Sequence, residues 1–200
     1  KQQYEGLVTR SRNQRLFNEL GRLASPVLSV FGIGGSLLAL KFPDLRQYME
    51  SRVVAAAIRD RLEAVLRPAL LSGDDVALVA HSMGAIVSYD VLWKFSHLSQ
   101  YRRVRDNRVR LWLTMGSPLG DPIVRRTLID QSESESDWFP RNLDAWINVS
   151  AHDDFVAHDC DVRDDFAPMA RHRYAKAIMD VGPIYNFYVM LKITDNPWWF

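Results

Sequence analysis

The chain has 200 residues and a mass of 23.0 kDa, enough for one domain with a real core and too little for two. Lys and Arg number 25 against 24 for Asp and Glu, a balance that gives no reason to expect a nucleic-acid partner, since phosphate binding needs a concentrated basic face. Hydrophobic residues make up 48% and charged residues 24%, which excludes disorder over most of the chain.

The elements follow in chain order. Lys1 to Asn18 is polar and charged, with no signal-peptide pattern. From Ala24 to Leu40 no charged residue occurs, and Pro26, Gly32, Gly34 and Gly35 interrupt the run. Its length and its glycines predict a buried or half-buried helical hairpin. The functional alternative is an interfacial segment that touches a membrane surface through residues 24–40 or covers a substrate pocket. Gly32 to Ser36 has neither the lysine of a phosphate loop nor the spacing of a dinucleotide loop.

Ser51 to Leu66 reads as an amphipathic helix, with Val54, Ile58, Leu62 and Val65 on one stripe and Arg52, Arg59, Asp60, Arg61 and Glu63 elsewhere. Pro68 and then Ser72-Gly73-Asp74-Asp75 are expected to end it. Val76 to Ala80 reads as a strand buried on both faces. Ala85 to Phe95 returns to helical spacing through Ile86, Tyr89, Leu92 and Phe95. Val109 to Met115 is a second strand, and Asp121 to Asp130 a short helix. Gln131 to Asp137 is a solvated loop by composition. Ala145 to Ser150 is a third strand, followed by an acidic loop from His152 to Asp165. Ala175 to Asp180 is a fourth strand. Strands alternating with helices predict an α/β fold with a mainly parallel β-sheet flanked by helices. Residues 1–50 read as a cap-like or connecting helical segment and 51–200 as the core, within one domain. The chain ends on Trp198-Trp199-Phe200, side chains that favour burial.

The sharpest chemical signal is Ala80-His81-Ser82-Met83-Gly84, where the first strand gives way to a helix. Small residues two before and two after a serine permit a tight strand-to-helix turn that lifts the hydroxyl above the strand ends. The turn also presents the Met83 amide at a helix N-terminus, a ready oxyanion donor. The bland alternative is a turn serine packed by glycine.

With these residues the chain resembles the α/β-hydrolase superfamily, specifically its lipase- and esterase-like members. Further segments carry the resemblance in order. They are Asp44 to Tyr48, Thr114-Met115-Gly116-Ser117-Pro118-Leu119, and Trp146-Ile147-Asn148-Val149 followed by Asp154-Phe155-Val156-Ala157. The match spans roughly residues 44–160, with a fainter echo at Asp180 to Tyr188. The resemblance implies a serine hydrolase of carboxylic esters needing no cofactor, and the uncharged run from Ala24 to Leu40 motivates a lipid-like substrate. It makes Ser82 the nucleophile, Met83 the oxyanion donor and Asp154 the acid, with Asp153 as competitor. Against this stands a plain reading of the acidic loop as a solvated face.

The histidine base is the gap. His81 lies in the turn, His97 suits a helix C-terminus, and His172 reads as surface. His152 and His158 flank Asp154. The resemblance places the base after the last strand, so it is expected beyond this segment, or else it is lost, or His158 serves. No His-Gly dipeptide supplies a second oxyanion amide, and early strands are expected to precede Lys1. A non-catalytic binding module is therefore the alternative to the enzyme. A third reading is a metal-dependent hydrolase using His152, Asp153, Asp154, His158 and Asp159. The lone Cys160 excludes an internal disulfide framework and fits a reducing compartment, so a cytoplasmic location is expected. Its acidic neighbours disfavour a thiolate nucleophile.

Overall fold

The computed structural model describes residues 42–134, 137–151 and 161–184. The hairpin expected at 24–40, Asp153, Asp154, His152, His158, Cys160 and the aromatic terminus lie outside them. Four strands form one sheet in the order β1 (Ala77–His81), β2 (Val109–Met115), β3 (Leu143–Ala151) and β4 (Ala175–Ile184), and every neighbouring pair is parallel. The helices are α1 (Pro43–Glu50), α2 (Arg52–Ser72), α3 (Met83–His97) and α4 (Pro122–Arg125), with α5 (Val162–Asp165) and α6 (Ala167–Arg171) before β4. The parallel α/β class expected from the alternation is what the chain forms.

Several local expectations change. Helix α2 starts where expected, with the Ser51 hydroxyl accepting from the Val54 N–H. It does not stop at Pro68, however, and runs to Ser72, ending on Gly73 at φ 82°. Leu66 and Leu70 are both buried on either side of the proline. Their packing offsets the hydrogen bond that proline removes. The buried stripe is Ala55, Leu66 and Leu70 with Ile58 and Leu62 beside it, while Val65 is exposed. Arg59 and Glu63 turn toward α3 instead, because α3 presents Asp90 and Lys94 there. The helix expected at Asp121 to Asp130 is only one turn, Pro122–Arg125, N-capped by the Asp121 carboxylate. A separate 3-10 turn follows at Ile129–Ser132.

Helix α3 packs on the sheet so completely that Ala85 to Trp93 are all buried. The Trp112 indole N–H donates to Ser88 Oγ at 3.0 Å. Trp112 stacks on Trp146 at 4.4 Å, and Phe166 meets Trp146 edge-on at 5.0 Å. Asp90 on α3 ties the helical layer together. It accepts from Tyr48 Oη at 2.6 Å, from Arg59 Nη1 at 3.0 Å and from the Ile129 N–H at 3.1 Å. Burial pushes its carboxyl up from the ordinary value, against the pull of these donors.

The helices lie on one side of the sheet. The row Leu78, Trp112, Trp146 and Ile178 faces them, as does the row Ala80, Thr114, Asn148 and Asp180. The alternate rows do not. Val79, Met179 and Val181 are 52%, 48% and 42% exposed. Strand β1 is therefore half exposed and not buried on both faces, since among the described residues nothing packs as a layer on its second side. No helix of the described residues is long and apolar enough to cross a membrane.

Asp90→Ala would leave the half-buried Arg59 guanidinium and the Tyr48 hydroxyl without their shared acceptor. The expected loss is about 3–5 kcal/mol of unfolding free energy, read from a urea melt.

Candidate active site at the β1–α3 turn

The peptide leaves β1 at His81 and enters α3 at Met83, so one residue makes the whole turn. That residue is Ser82, with φ 53° and ψ −124°. A side chain at this φ is crowded against its own backbone and costs roughly 1–3 kcal/mol. The surroundings impose the conformation. The Ser82 N–H donates to the Met115 carbonyl of β2 at 2.9 Å, and its carbonyl accepts from the Ala85 N–H at 3.0 Å. The serine is thus held by the sheet on one side and by the helix on the other.

Small residues make room for this, as the spacing predicts. A Cβ added at Gly84 would meet the Ala80 Cβ at 3.8 Å, which is ordinary contact. Alanine at either position is therefore compatible with the turn, and a longer side chain at position 84 is driven into the strand. Ser82 and Met83 are half-buried, so solvent reaches them. As the first residue of α3, Met83 has an N–H that no carbonyl within the helix can accept. The amide stands beside the serine at the positive end of a 15-residue helix. The two residues are neighbours in the chain, Ser82 forming the turn and Met83 opening the helix.

The strand ends collect on the same rim. Met115 pairs with His81, Val149 with Met115, and Val181 with Val149. The segment holding Asp154 leaves β3 at Ala151 from this rim, two strand spacings, or about 10 Å, from β1. Asp154 itself lies outside the described residues, as do His152, Asp153, His158 and Asp159 of the metal reading. Among the described residues no group of three or more His, Cys, Asp or Glu could hold a metal ion.

Of the described histidines, His97 and His172 are placed elsewhere and His81 precedes the serine. His97 ends α3, about 21 Å along the helix axis from Met83. Its Nε2 lies 2.9 Å from the Phe139 carbonyl and its ring stacks on Trp93 at 4.9 Å. Burial pushes its pKa below the ordinary value, and Arg141 and Arg105 add to this against Asp137 and the Phe139 carbonyl. His172 is exposed just before β4, at the opposite end of the sheet from Ser82. His81 is exposed on the last position of β1.

One polar chain below the rim escaped the sequence reading. The Trp146 indole N–H donates to Thr114 Oγ1 at 2.9 Å, and Thr114 Oγ1 donates to Asn148 Oδ1 at 2.8 Å. Asn148 Nδ2 then donates to Asp180 Oδ1 at 3.1 Å, and the Arg163 N–H reaches Asp180 Oδ2 at 3.0 Å. Burial raises the Asp180 carboxyl above its ordinary value, opposed by these donors. Asp180 thereby clamps the start of α5, where the chain returns from the Asp154 segment. The available signal was an amide and a carboxylate inside otherwise apolar strands. A cavity of about 280 Å³ opens between Tyr89, Leu128, Trp138, Phe139 and Phe166. It lies two turns down α3 from the serine.

Comparison with protein-family models, with curated proteins and with solved structures finds no match to this chain.

Two outcomes follow. Glycine adopts a positive φ without penalty, so Ser82→Gly is expected to be about 1 kcal/mol more stable than Ser82→Ala in chemical denaturation. Equal stability would mean the turn carries no strain. For His97, the folded pKa is lowered, so the unfolded chain takes up the proton first. Stability then falls as pH drops below about 6.5. His97→Gln should flatten that part of a Tm-against-pH curve.

Proposed function

We propose that the protein is a serine hydrolase of carboxylic esters, built on the plan of the α/β-hydrolase superfamily. One observation carries the reading. Ser82 is a non-glycine residue at φ 53° and ψ −124°, and it forms by itself the turn from a parallel strand into a helix N-terminus. Backbone strain of this kind gathers at functional positions, and this placement is the one a nucleophilic serine needs.

In the reaction Ser82 Oγ attacks the acyl carbonyl carbon and gives up its proton to a base. The carbonyl oxygen takes on negative charge and is stabilised by the Met83 N–H. The ester C–O bond then breaks, the alcohol leaves with the proton, and the acyl group stays on Ser82. Water releases it by the same steps in reverse roles. Asp154 is the proposed acid that orients the base. It is supported by the departure of its segment from the Ser82 rim of the sheet. The metal-dependent alternative has no comparable support from the described residues.

A specific observation favours a second reading, that of a binding module without catalysis. None of the described histidines, His81, His97 or His172, is placed to serve as the base. His97 and His172 are remote, and His81 is the neighbour that shapes the turn.

A fluorophosphonate probe separates the two. The enzyme reading expects stoichiometric labelling at Ser82, lost in Ser82→Ala. No labelling of the folded protein, or equal labelling of the variant, would sink it. With labelling established, Asp154→Asn is expected to lower kcat by about 10²–10⁴-fold with little change in KM.

A further inference from the structure

The cavity beside α3 has an apolar wall of four aromatic rings in succession. Tyr89 meets Phe166 edge-on at 5.7 Å, Phe166 meets Phe139 at 6.0 Å, and Phe139 meets Trp138 at 6.2 Å. Tyr89 and Phe166 are 0% and 2% exposed, so the core fixes the inner end. Phe139 is held in the wall against its local preference. Its φ is 71°, in the left-handed region where a bulky side chain is rare. Its N–H donates to Asp130 Oδ2 at 3.1 Å, and its carbonyl faces His97 Nε2 at 2.9 Å. Those two contacts keep the ring where it is.

Volume limits what fits. An apolar cavity of about 150 Å³ takes one benzene. The cavity here, at about 280 Å³, has room for such a ring and a short polar arm. The mouth selects the charge of that arm. Asp165 on the rim is paired with Arg125 at 2.5 Å. Asp130, behind the wall, accepts from Tyr89 Oη at 2.5 Å and from Gln131 Nε2 at 3.2 Å. Arg126 also lines the mouth and is exposed, and among the described residues it has no ion-pair partner. A planar guanidinium takes a carboxylate through two parallel N–H···O bonds.

We propose that this cavity binds a small aryl carboxylate, with the ring among Phe139, Phe166 and Trp138 and the carboxylate on Arg126. An added ring extends the edge-to-face packing of the wall. An aryl ammonium is the rival, since aromatic faces attract cations. Arg125 and Arg126 at the mouth oppose it. The site is separate from the chemistry proposed at the turn. Tyr89 lies about 10 Å along the α3 axis from Ser82, and the inference stands whether or not Ser82 is a nucleophile.

The test uses the whole chain, isotope-labelled for NMR, and three probes of one shape: phenylacetate, phenylacetamide and phenethylamine. The expected result is saturable shifts at the Trp138 indole N–H and at the Phe139 and Arg126 amides. Phenylacetate should bind about fivefold more tightly than phenylacetamide, with phenethylamine no better than the amide. Arg126→Gln, an exposed substitution, should bring phenylacetate to within about twofold of phenylacetamide. Phe139→Gly keeps the backbone angle without penalty and removes one ring, and should weaken both probes about tenfold. Ser82→Ala should bind phenylacetate as the unsubstituted chain does. Shifts centred on Ser82, Met83 and Ala85 would overturn the proposal and assign the probe to the turn. So would no saturable shift up to about 10 mM phenylacetate, equal or tighter binding of the amide or the amine, or a preference unchanged in Arg126→Gln. If Phe139→Gly unfolds, its spectrum shows it, and Arg126→Gln decides.

Discussion

A parallel strand ends at the wrong end of the sheet for its successor to begin. The chain must travel back before the next strand can pair, and it does so in a right-handed sense. In this protein three such returns follow one another in the order β1, β2, β3, β4. The helices therefore accumulate on one face, and the strand C-termini share one rim. Those two consequences organise everything else. The first places Trp112 and Trp146 beneath α3 and leaves Val79 and Met179 uncovered. The second brings Ser82, the departure point after Ala151 and the end of β4 to a common edge.

The rim would be only a set of loops without the turn at Ser82. Its φ of 53° would be abandoned if the backbone could relax. It cannot, because the serine N–H is committed to β2 and its carbonyl to α3. The helical layer behind α3 supplies the rigidity. Tyr48, Arg59 and the Ile129 amide all converge on Asp90, and Tyr89 donates to Asp130 at 2.5 Å. Glu63 is shared by Lys94 and Tyr101 on the outer side. These buried polar contacts hold α3 in a single register on the sheet. A helix free to shift by a fraction of a turn would carry its first residue, and with it the serine and the Met83 amide, away from their mutual placement.

Charge is distributed differently at the two ends of the strands. At the starting end Asp144 sits among Arg108, Arg110 and Lys176. Burial opposes its ionisation, but these cations outweigh it and hold the carboxyl at about 2. At the finishing end Asp180 is half-buried beside the Asn148 amide and the Arg163 N–H, and desolvation raises its carboxyl against these donors. The first arrangement neutralises a solvated edge. The second fastens the chain where it comes back from the Asp154 segment, close to the chemistry proposed for the rim.

Elements were legible in the sequence wherever local pattern and tertiary packing asked for the same thing. The strand at Val109–Met115 appears with the expected limits, and Ile86, Tyr89, Leu92 and Phe95 are all buried as their spacing required. Ser82 between Ala80 and Gly84 could be read because a sharp turn is a local steric demand, met by small neighbours. Pro68 misled, because the cost of a proline is local while the burial of Leu66 and Leu70 that outweighs it is not. The partners of Arg59 and Glu63 were not legible for the same reason, since they lie on another helix. Most of all, a run such as Val76 to Ala80 announces an apolar strand and does not say which side is covered. That depends on strand order and crossover hand, which are properties of the assembled sheet. The sequence by itself determined the strand, the turn and the candidate nucleophile. Only the tertiary structure decided which face of the sheet is buried and that His97 and His172 stand away from the serine.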